Sequence, residues 1–198
     1  MSAVLENTIS RPLPTNGVKT RLITVAEYDR MIEAGIYTEN DRIELLNGEI
    51  IELIPKGPKH VYFNEKIADI LKEKLGKTAD VRSQNPIILD DFSEPEPDIV
   101  LAIPPRENYL ERHPTLEDIL LIIEISDSTL GRDRVTKSLA YAKAGIQQYI
   151  VFNVQDNSLE DYRQPAADGY QSKQTYRNSD KFNLTAFPDI EINVGEFF

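Results

Sequence analysis

The sequence predicts an α/β fold in which one mixed β-sheet is flanked by helices. Residues 119–125 are almost all apolar, which is typical of a strand buried on both faces. After a turn, residues 132–144 have helical spacing and end at Gly145, and residues 148–152 form a second apolar run. From Asn153 onward, segments rich in Tyr and Thr alternate with turn signals, which indicates antiparallel strands added to the same sheet.

A β-hairpin is predicted in the N-terminal half. The dipeptide Asn47-Gly48 separates two runs of alternating apolar residues, 42–46 and 49–53, and Asn-Gly in this setting is a strong signal for a hairpin turn. The alternation places Glu44 on one face of its strand and Leu45 on the other. The other predicted elements are helices over residues 24–34 and 60–75, strands over 81–89 and 98–103, and a polar loop over 104–118.

The composition limits the class of protein. The length of 198 residues suits one large domain, predicted over residues 21–198, with the polar, Pro-rich residues 1–20 as a flexible N-terminal arm. The absence of cysteine excludes disulfides, thiolate zinc sites and cysteine nucleophiles. No apolar run is long enough to span a bilayer, and the first residues lack the apolar core of a signal peptide. We therefore expect a cytoplasmic protein.

The net charge of −11 counts against broad, non-specific DNA binding, which normally needs a basic face. It does not exclude a metal-dependent nuclease, because acidic ligands add to the negative count and a bound ion reverses the local field. Several lysines lie close together in the sequence, and they are Lys56, Lys59, Lys66, Lys72, Lys74 and Lys77. They predict either a local basic patch or, more simply, the solvated face of a helix.

Two acidic residues lie at predicted strand ends. Glu124 interrupts an apolar strand, where a buried carboxylate needs a partner or a metal, although a strand end near Ser126 could also leave it solvated. Asp98 opens its strand directly after Pro97, where it could reach a cleft or serve as an ordinary turn residue. For either residue alone, both interpretations stay open.

The helix after residue 130 contributes a third candidate. The spacing places Asp133, Lys137 and Tyr141 on one side of this helix, where Asp133 and Lys137 could form an ordinary surface pair. The predicted core-facing residues are Val135, Leu139, Ala142 and Ile146. Together with the two acids at the strand ends, Lys137 can also be interpreted as part of one site with Asp98 and Glu124.

The combination predicts metal chemistry. Carboxylates of Asp98 and Glu124 on neighbouring strands would form an oxygen-ligand site for Mg²⁺ or Mn²⁺, and Glu44 from the hairpin can supply a third. A nearby Lys137 can orient or deprotonate an attacking water and offset phosphate charge. These are the residue types that metal-assisted hydrolysis of a phosphodiester requires.

The same segments, in this order, resemble the Uma2 family of endonucleases, formerly a domain of unknown function, within the PD-(D/E)XK superfamily. The resemblance covers nearly all of residues 21–198. The matching segments are residues 42–49, His60, residues 96–100, residues 123–129 and residues 133–149. The resemblance implies a restriction-endonuclease-like mixed β-sheet flanked by helices.

The resemblance also implies roles for single residues. Glu44 resembles the family's N-terminal acid, Asp98 its Pro-Asp acid and Glu124 its second metal acid. The superfamily expects lysine two positions after Glu124, where this chain has Ser126, and the resemblance implies that Lys137 replaces it in space. The implied catalytic set is therefore these three acids with Lys137, and the implied metal ligands are the three acids.

Three functions follow as hypotheses. The first is a metal-dependent endonuclease whose partner is nucleic acid, with DNA expected, and which forms a homodimer because cutting both strands favours two sites. The second, favoured by the acidic balance and by Ser126, is a catalytically inactive nuclease-fold module for binding or assembly. The third is a metal-dependent hydrolase of small phosphate compounds. His60 could contact phosphate or position water, or it could be an exposed residue at a helix start.

Overall fold

The computed structural model describes residues 21–38, 40–127 and 129–198, so the predicted arm over residues 1–20 lies outside the described part of the chain. The strands are β1 (Ile43–Leu46), β2 (Glu49–Glu52), β3 (Asp80–Ser83), β4 (Ile99–Ala102), β5 (Ile119–Ser126), β6 (Gln148–Asn153), β7 (Ser158–Ala166), β8 (Gly169–Tyr176), β9 (Lys181–Leu184) and β10 (Phe187–Asn193). The α-helices are α1 (Val25–Glu33), α2 (Pro58–Leu75), α3 (Leu130–Arg132) and α4 (Ser138–Ala144), with a π-helical turn over Asp133–Lys137 between the last two.

Six strands form the central sheet in the order β3-β4-β5-β6-β7-β8. Strands β5 and β6 pair in parallel, and every other neighbouring pair in this sheet is antiparallel. The parallel pair requires a crossover connection, which α3, the π-helical turn and α4 provide. The predicted mixed sheet with flanking helices is confirmed.

Each face of the sheet has its own core. On one face, α2 packs through Ile67, Leu71 and Leu75 together with the C-terminal hairpin β9–β10. On the other face, Tyr141 of α4 packs against Tyr149 of β6. Every residue of β5 except the partly buried Leu120 is buried because both layers cover the strand, as its apolar sequence predicts.

The N-terminal elements follow their local sequence signals. Thr24 and Glu27 form the expected capping box at the start of α1. Between β1 and β2, Asn47 and Gly48 have φ angles of 53° and 77°, as a tight hairpin turn with two left-handed residues requires. Leu45 of β1 packs against α1, so Glu44 points to the other side of the hairpin.

Two predicted elements differ in the structure. The strand predicted over residues 81–89 ends at Ser83, because Gln84 has a φ of 55° and leaves the extended conformation. The helix predicted from residue 132 begins at Leu130. Among the described residues, no helix is both long enough and apolar enough to cross a membrane.

The π-helical turn also corrects the predicted faces of this helix. Val135, expected to face the core, is 68 % exposed, whereas Asp133 and Lys137 are buried. A π-helical turn inserts an extra residue into the helix, and this rotates the side chains before it relative to those after it. The interpretation of Asp133 and Lys137 as a surface pair is therefore wrong.

Candidate active site

The register of β4 and β5 brings two predicted acids together. Ile99 pairs with Ile123 in this antiparallel ladder, so the next position along places Asp98 opposite Glu124 on the same face. The backbone N–H of Ile125 donates to Asp98 Oδ2 at 2.8 Å, which ties the aspartate to the neighbouring strand. Both carboxylates are buried, and both line one cleft.

Lys137 lines the same cleft and bonds directly to Glu124. Its Nζ donates to Glu124 Oε1 at 2.7 Å, and the hydroxyl of Tyr141 donates to the same oxygen at 2.9 Å. Burial raises the pKa of the Glu124 carboxyl to about 8, although the charge of Lys137 acts to lower it. Burial alone would lower the pKa of Lys137, but the surrounding carboxylates, Glu124 first among them, raise it above its ordinary value.

Asp98 also contacts the side chains of His60 and Lys56. His60 donates through Nε2 to Oδ2 at 2.9 Å, and Lys56 Nζ lies 3.5 Å from Oδ1. Burial by itself would raise the pKa of Asp98, but the hydrogen bond and charge of His60 hold it below its ordinary value. Because Oδ2 already accepts from His60 and from the Ile125 amide, Oδ1 is the oxygen left for a ligand in the cleft.

Glu44 lies behind Lys137 and outside the cleft. Its Oε2 is 3.6 Å from Lys137 Nζ, its Oε1 pairs with Arg132, and the backbone N–H of Glu96 donates to Oε2 at 3.2 Å. The side chain of Glu44 is fully buried, and it does not line the cleft that holds Asp98. The structure therefore joins Glu44 to the site through Lys137.

Ser126, where the superfamily pattern expects lysine, has a structural partner. Its hydroxyl donates to Asp133 Oδ2 at 2.5 Å, and Thr129 donates to the same oxygen at 2.6 Å. These bonds fix the start of the helical segment to the end of β5. The ammonium of Lys137 then enters the cleft from the helix, next to Glu124.

Two residues of the cleft were not singled out from the sequence. Lys56, grouped with surface lysines, has a side chain that is only 16 % exposed and lies in the cleft wall. Arg132 pairs with Glu44 and also lines the cleft. For Lys56, the signal was its position just before Gly57-Pro58, because Pro is favoured at the first position of a helix and places the lysine at the helix entrance.

The carboxylates of Asp98 and Glu124 are the candidate ligands for a divalent metal in the cleft. Within residues 21–38, 40–127 and 129–198, no group of three or more His, Cys, Asp or Glu side chains is arranged to hold a metal ion. The pair Asp98 and Glu124 nevertheless fits Mg²⁺ or Mn²⁺ chemically, because Mg²⁺ is usually held by one or two carboxylates, waters and substrate phosphates. Burial, and to a smaller extent the charge of Asp98, raises the pKa of Glu124, and a cation beside the two carboxylates would offset their charge.

This mixed sheet with flanking helices has the restriction-endonuclease-like α/β fold, and its two acids lie at adjoining ends of β4 and β5 with a lysine beside them. The chain belongs to the Uma2 family, whose family model, described as "Putative restriction endonuclease", matches residues 25–195. A crystal structure described as a "putative nuclease belonging to DUF820" from Anabaena variabilis is similar in fold, with a TM-score of 0.69 and 20 % identity. The similarity covers 89 % of this chain and 97 % of that one. No curated protein matches the sequence.

Proposed function

We propose that this protein is a divalent-metal-dependent endonuclease that hydrolyses phosphodiester bonds of nucleic acid, with DNA as the expected substrate. The observation that carries the proposal is that Asp98, Glu124 and Lys137 line one cleft, with Asp98, directly before β4, opposite Glu124 of β5. Membership of the Uma2 family, whose family model is described as "Putative restriction endonuclease", supports the same reaction class.

In this proposal Asp98 and Glu124 would hold Mg²⁺ or Mn²⁺. When bound, the ion would supply Lewis-acid activation of the phosphate and of the attacking water. Asp98 would contribute Oδ1, since its other oxygen is occupied by His60 and Ile125. Glu124 would contribute the oxygen that does not accept from Lys137 and Tyr141.

Lys137 would act on the substrate through its ammonium group. It keeps N–H donors beyond the one given to Glu124, and these can orient the attacking water and offset charge on the phosphate. Glu44, first expected as a third ligand, is proposed here as a positioning residue, because it lies behind Lys137 and pairs with Arg132.

A non-catalytic binding or assembly module is the second candidate. It is favoured by the fact that Glu44, Asp98 and Glu124 are each paired with a basic side chain. The net charge of −11 also fits a protein that does not bind DNA broadly. A homodimer and a cytoplasmic location remain predictions for either function.

The experiment that separates the two functions is a cleavage assay with the purified full chain. Plasmid, single-stranded oligonucleotide and a small phosphate ester are each incubated with Mg²⁺, with Mn²⁺ or with EDTA. Metal-dependent cleavage of nucleic acid that is lost in Asp98→Ala supports the nuclease. Metal-dependent hydrolysis of the small ester alone would indicate a small-molecule hydrolase, and inactivity on all three would favour the binding module.

A further inference from the structure

The N-terminal end of α2 opens at the cleft wall. Gly57 caps this helix of 18 residues without any side-chain hydrogen bond, and Pro58 occupies its first turn. The first amide with a helical partner is that of Val61, which donates to the Gly57 carbonyl at 3.2 Å. The amides of Lys59 and His60 therefore have no partner within the helix.

Two side chains, those of Lys56 and His60, lie beside this helix end and line the cleft. Lys56 Nζ lies 3.5 Å from Asp98 Oδ1 and 3.8 Å from Glu96 Oε1, and both distances exceed an ordinary ammonium–carboxylate hydrogen bond. Its N–H donors are thus available to a ligand. His60 also lines the cleft and is only 8 % exposed, and its Nδ1 has no hydrogen-bond partner among the described residues.

We propose that the start of α2, with Lys56 and His60, is a phosphate-binding subsite that takes a phosphodiester group of the nucleic-acid substrate. The inference rests on the proposed nuclease function of the cleft. Free amides at a helix N-terminus, together with the helix dipole, favour an anion. Because Lys56 lies within 3.5 Å of Asp98, a phosphate bound here would lie beside the carboxylate pair.

The subsite also accounts for how an acidic chain could hold a polyanion. A protein with a net charge of −11 has little basic surface to neutralise a nucleic-acid backbone. Backbone amides and one or two cationic side chains can bind a single phosphate locally without a basic face. The subsite would then position one phosphate and leave the rest of the backbone weakly held, which predicts low affinity for nucleic acid without metal.

The direct test follows the backbone amides by NMR in EDTA, where no metal-dependent cleavage occurs. Inorganic phosphate, a short single-stranded oligonucleotide and sodium chloride of matched ionic strength are titrated separately into the full chain. Phosphate and oligonucleotide should both shift the amide resonances of Lys59 and His60, whereas chloride should not. A shift with phosphate alone would assign the site to free phosphate and overturn the substrate subsite, and no shift with either would overturn the site altogether.

Gly57→Asp separates loss of the site from loss of folding. Gly57 has φ −75° and ψ 166°, which suit any N-cap residue, and the nearest atom to a Cβ there is Asp127 Oδ2 at 3.9 Å. The new carboxylate would cap the helix and occupy the free amides itself. Phosphate affinity should fall at least about 10-fold while the Tm stays at or above that of the wild type.

Charge-matched variants complete the test. Lys56→Gln should weaken oligonucleotide binding. It should also make the binding constant less dependent on salt concentration, by the amount expected for the loss of about one phosphate contact. Lys77→Gln removes the same charge from an exposed position beyond the other end of α2 and should change neither. Unchanged binding in Gly57→Asp would overturn the subsite. If phosphate shifts the amide resonances but no metal-dependent cleavage is found, the proposed nuclease function is rejected while the anion-binding site is supported. The two failures are therefore distinguishable.

Discussion

The ammonium of Lys137 lies 2.7 Å from Glu124 Oε1 and 3.6 Å from Glu44 Oε2, so one buried lysine joins two buried acids. The lysine comes from the π-helical turn, and the acids come from β5 and from the N-terminal hairpin. This arrangement links the helix, the sheet and the hairpin at the point where the candidate active site lies.

The first prediction concerns activity. Cleavage of nucleic acid should require Mg²⁺ or Mn²⁺ and should stop in EDTA, because Asp98 and Glu124 offer oxygen ligands to a hard cation. Asp98→Ala and Lys137→Ala should each lower the rate on the order of 100-fold or more. The measurement is plasmid cleavage with protein purified identically for all variants. Cleavage that survives Asp98→Ala would mean a different site or a contaminating nuclease.

The second prediction concerns metal binding in the absence of substrate. Mn²⁺ should raise the Tm of the wild-type protein, because binding to the native state adds RT ln(1 + [L]/Kd) to the free energy of unfolding. Glu124→Gln should shrink this increase, since it removes one of the two proposed ligands. Glu117→Gln, a change at an exposed position, is the matched control and should keep the full increase. A wild-type Tm that ignores Mn²⁺ would favour the non-catalytic module.

The third prediction concerns the buried pair itself. Lys137→Met leaves the carboxylates of Glu124 and Glu44 buried without their shared cation, and should lower the free energy of unfolding by about 3–5 kcal/mol. Adding Glu124→Gln should cost about 1–3 kcal/mol less in this background than in the wild type, because the two residues interact directly. Urea unfolding of the four proteins measures the coupling. When Lys137→Met is combined with Glu117→Gln, the two changes in the free energy of unfolding should instead be additive.

The fourth prediction concerns pH. Burial and the neighbouring charge of Asp29 raise the pKa of Glu94 from 4.5 to about 7. Between these two pKa values the folded protein keeps a proton that the unfolded chain loses. Below pH 4.5 both states are protonated, and the titration of Glu94 does not change the free energy of unfolding. As the pH rises from 4.5 to about 7, this group progressively lowers the free energy of unfolding. The shift corresponds to about 3 kcal/mol at most.

Glu94→Gln removes that titration and provides the test. The free energy of unfolding of the variant, relative to the wild type, should increase between pH 5 and pH 8. Comparing the two proteins at each pH removes the contribution of other titrating groups. A difference that stays constant with pH would show that the pKa of Glu94 is the same in the folded and unfolded chains.

The fifth prediction concerns the faces of the crossover helix. Val135→Lys should change the free energy of unfolding by less than about 0.5 kcal/mol, because Val135 is 68 % exposed. Ile146→Ala, two residues after the end of α4 at a position that is 1 % exposed, should cost about 2–5 kcal/mol. Thermal or urea unfolding distinguishes the two. A large loss in Val135→Lys would support the helical faces expected from regular 3.6-residue spacing.

Much of the fold could be predicted because its signals are local. Asn47-Gly48 specifies the hairpin turn through the φ angles that it tolerates, and Thr24 with Glu27 specifies the start of α1. The apolar run of β5 identifies a strand covered on both faces. Each signal depends on residues a few positions apart, so no knowledge of distant partners is needed.

The candidate site could be predicted only in part. Asp98 and Glu124 were identifiable because acids at the ends of apolar strands need a partner. The pairing of Glu124 with Lys137, and of Asp98 with His60 and Lys56, joins residues far apart in the chain and depends on how the strands and helices pack. The spacing of these residues in the sequence does not predict the distances between them in the fold.

The sequence by itself determined the order of elements, the mixed sheet and the residue types of the site. The tertiary structure decided that Lys137 faces inward and that Glu44 lies behind it. The physical reason is that the face of a helix depends on the accumulated number of residues per turn, and one π-helical turn rotates it. Packing against β5, with Asp133 bonded to Ser126, determines where that extra residue is accommodated.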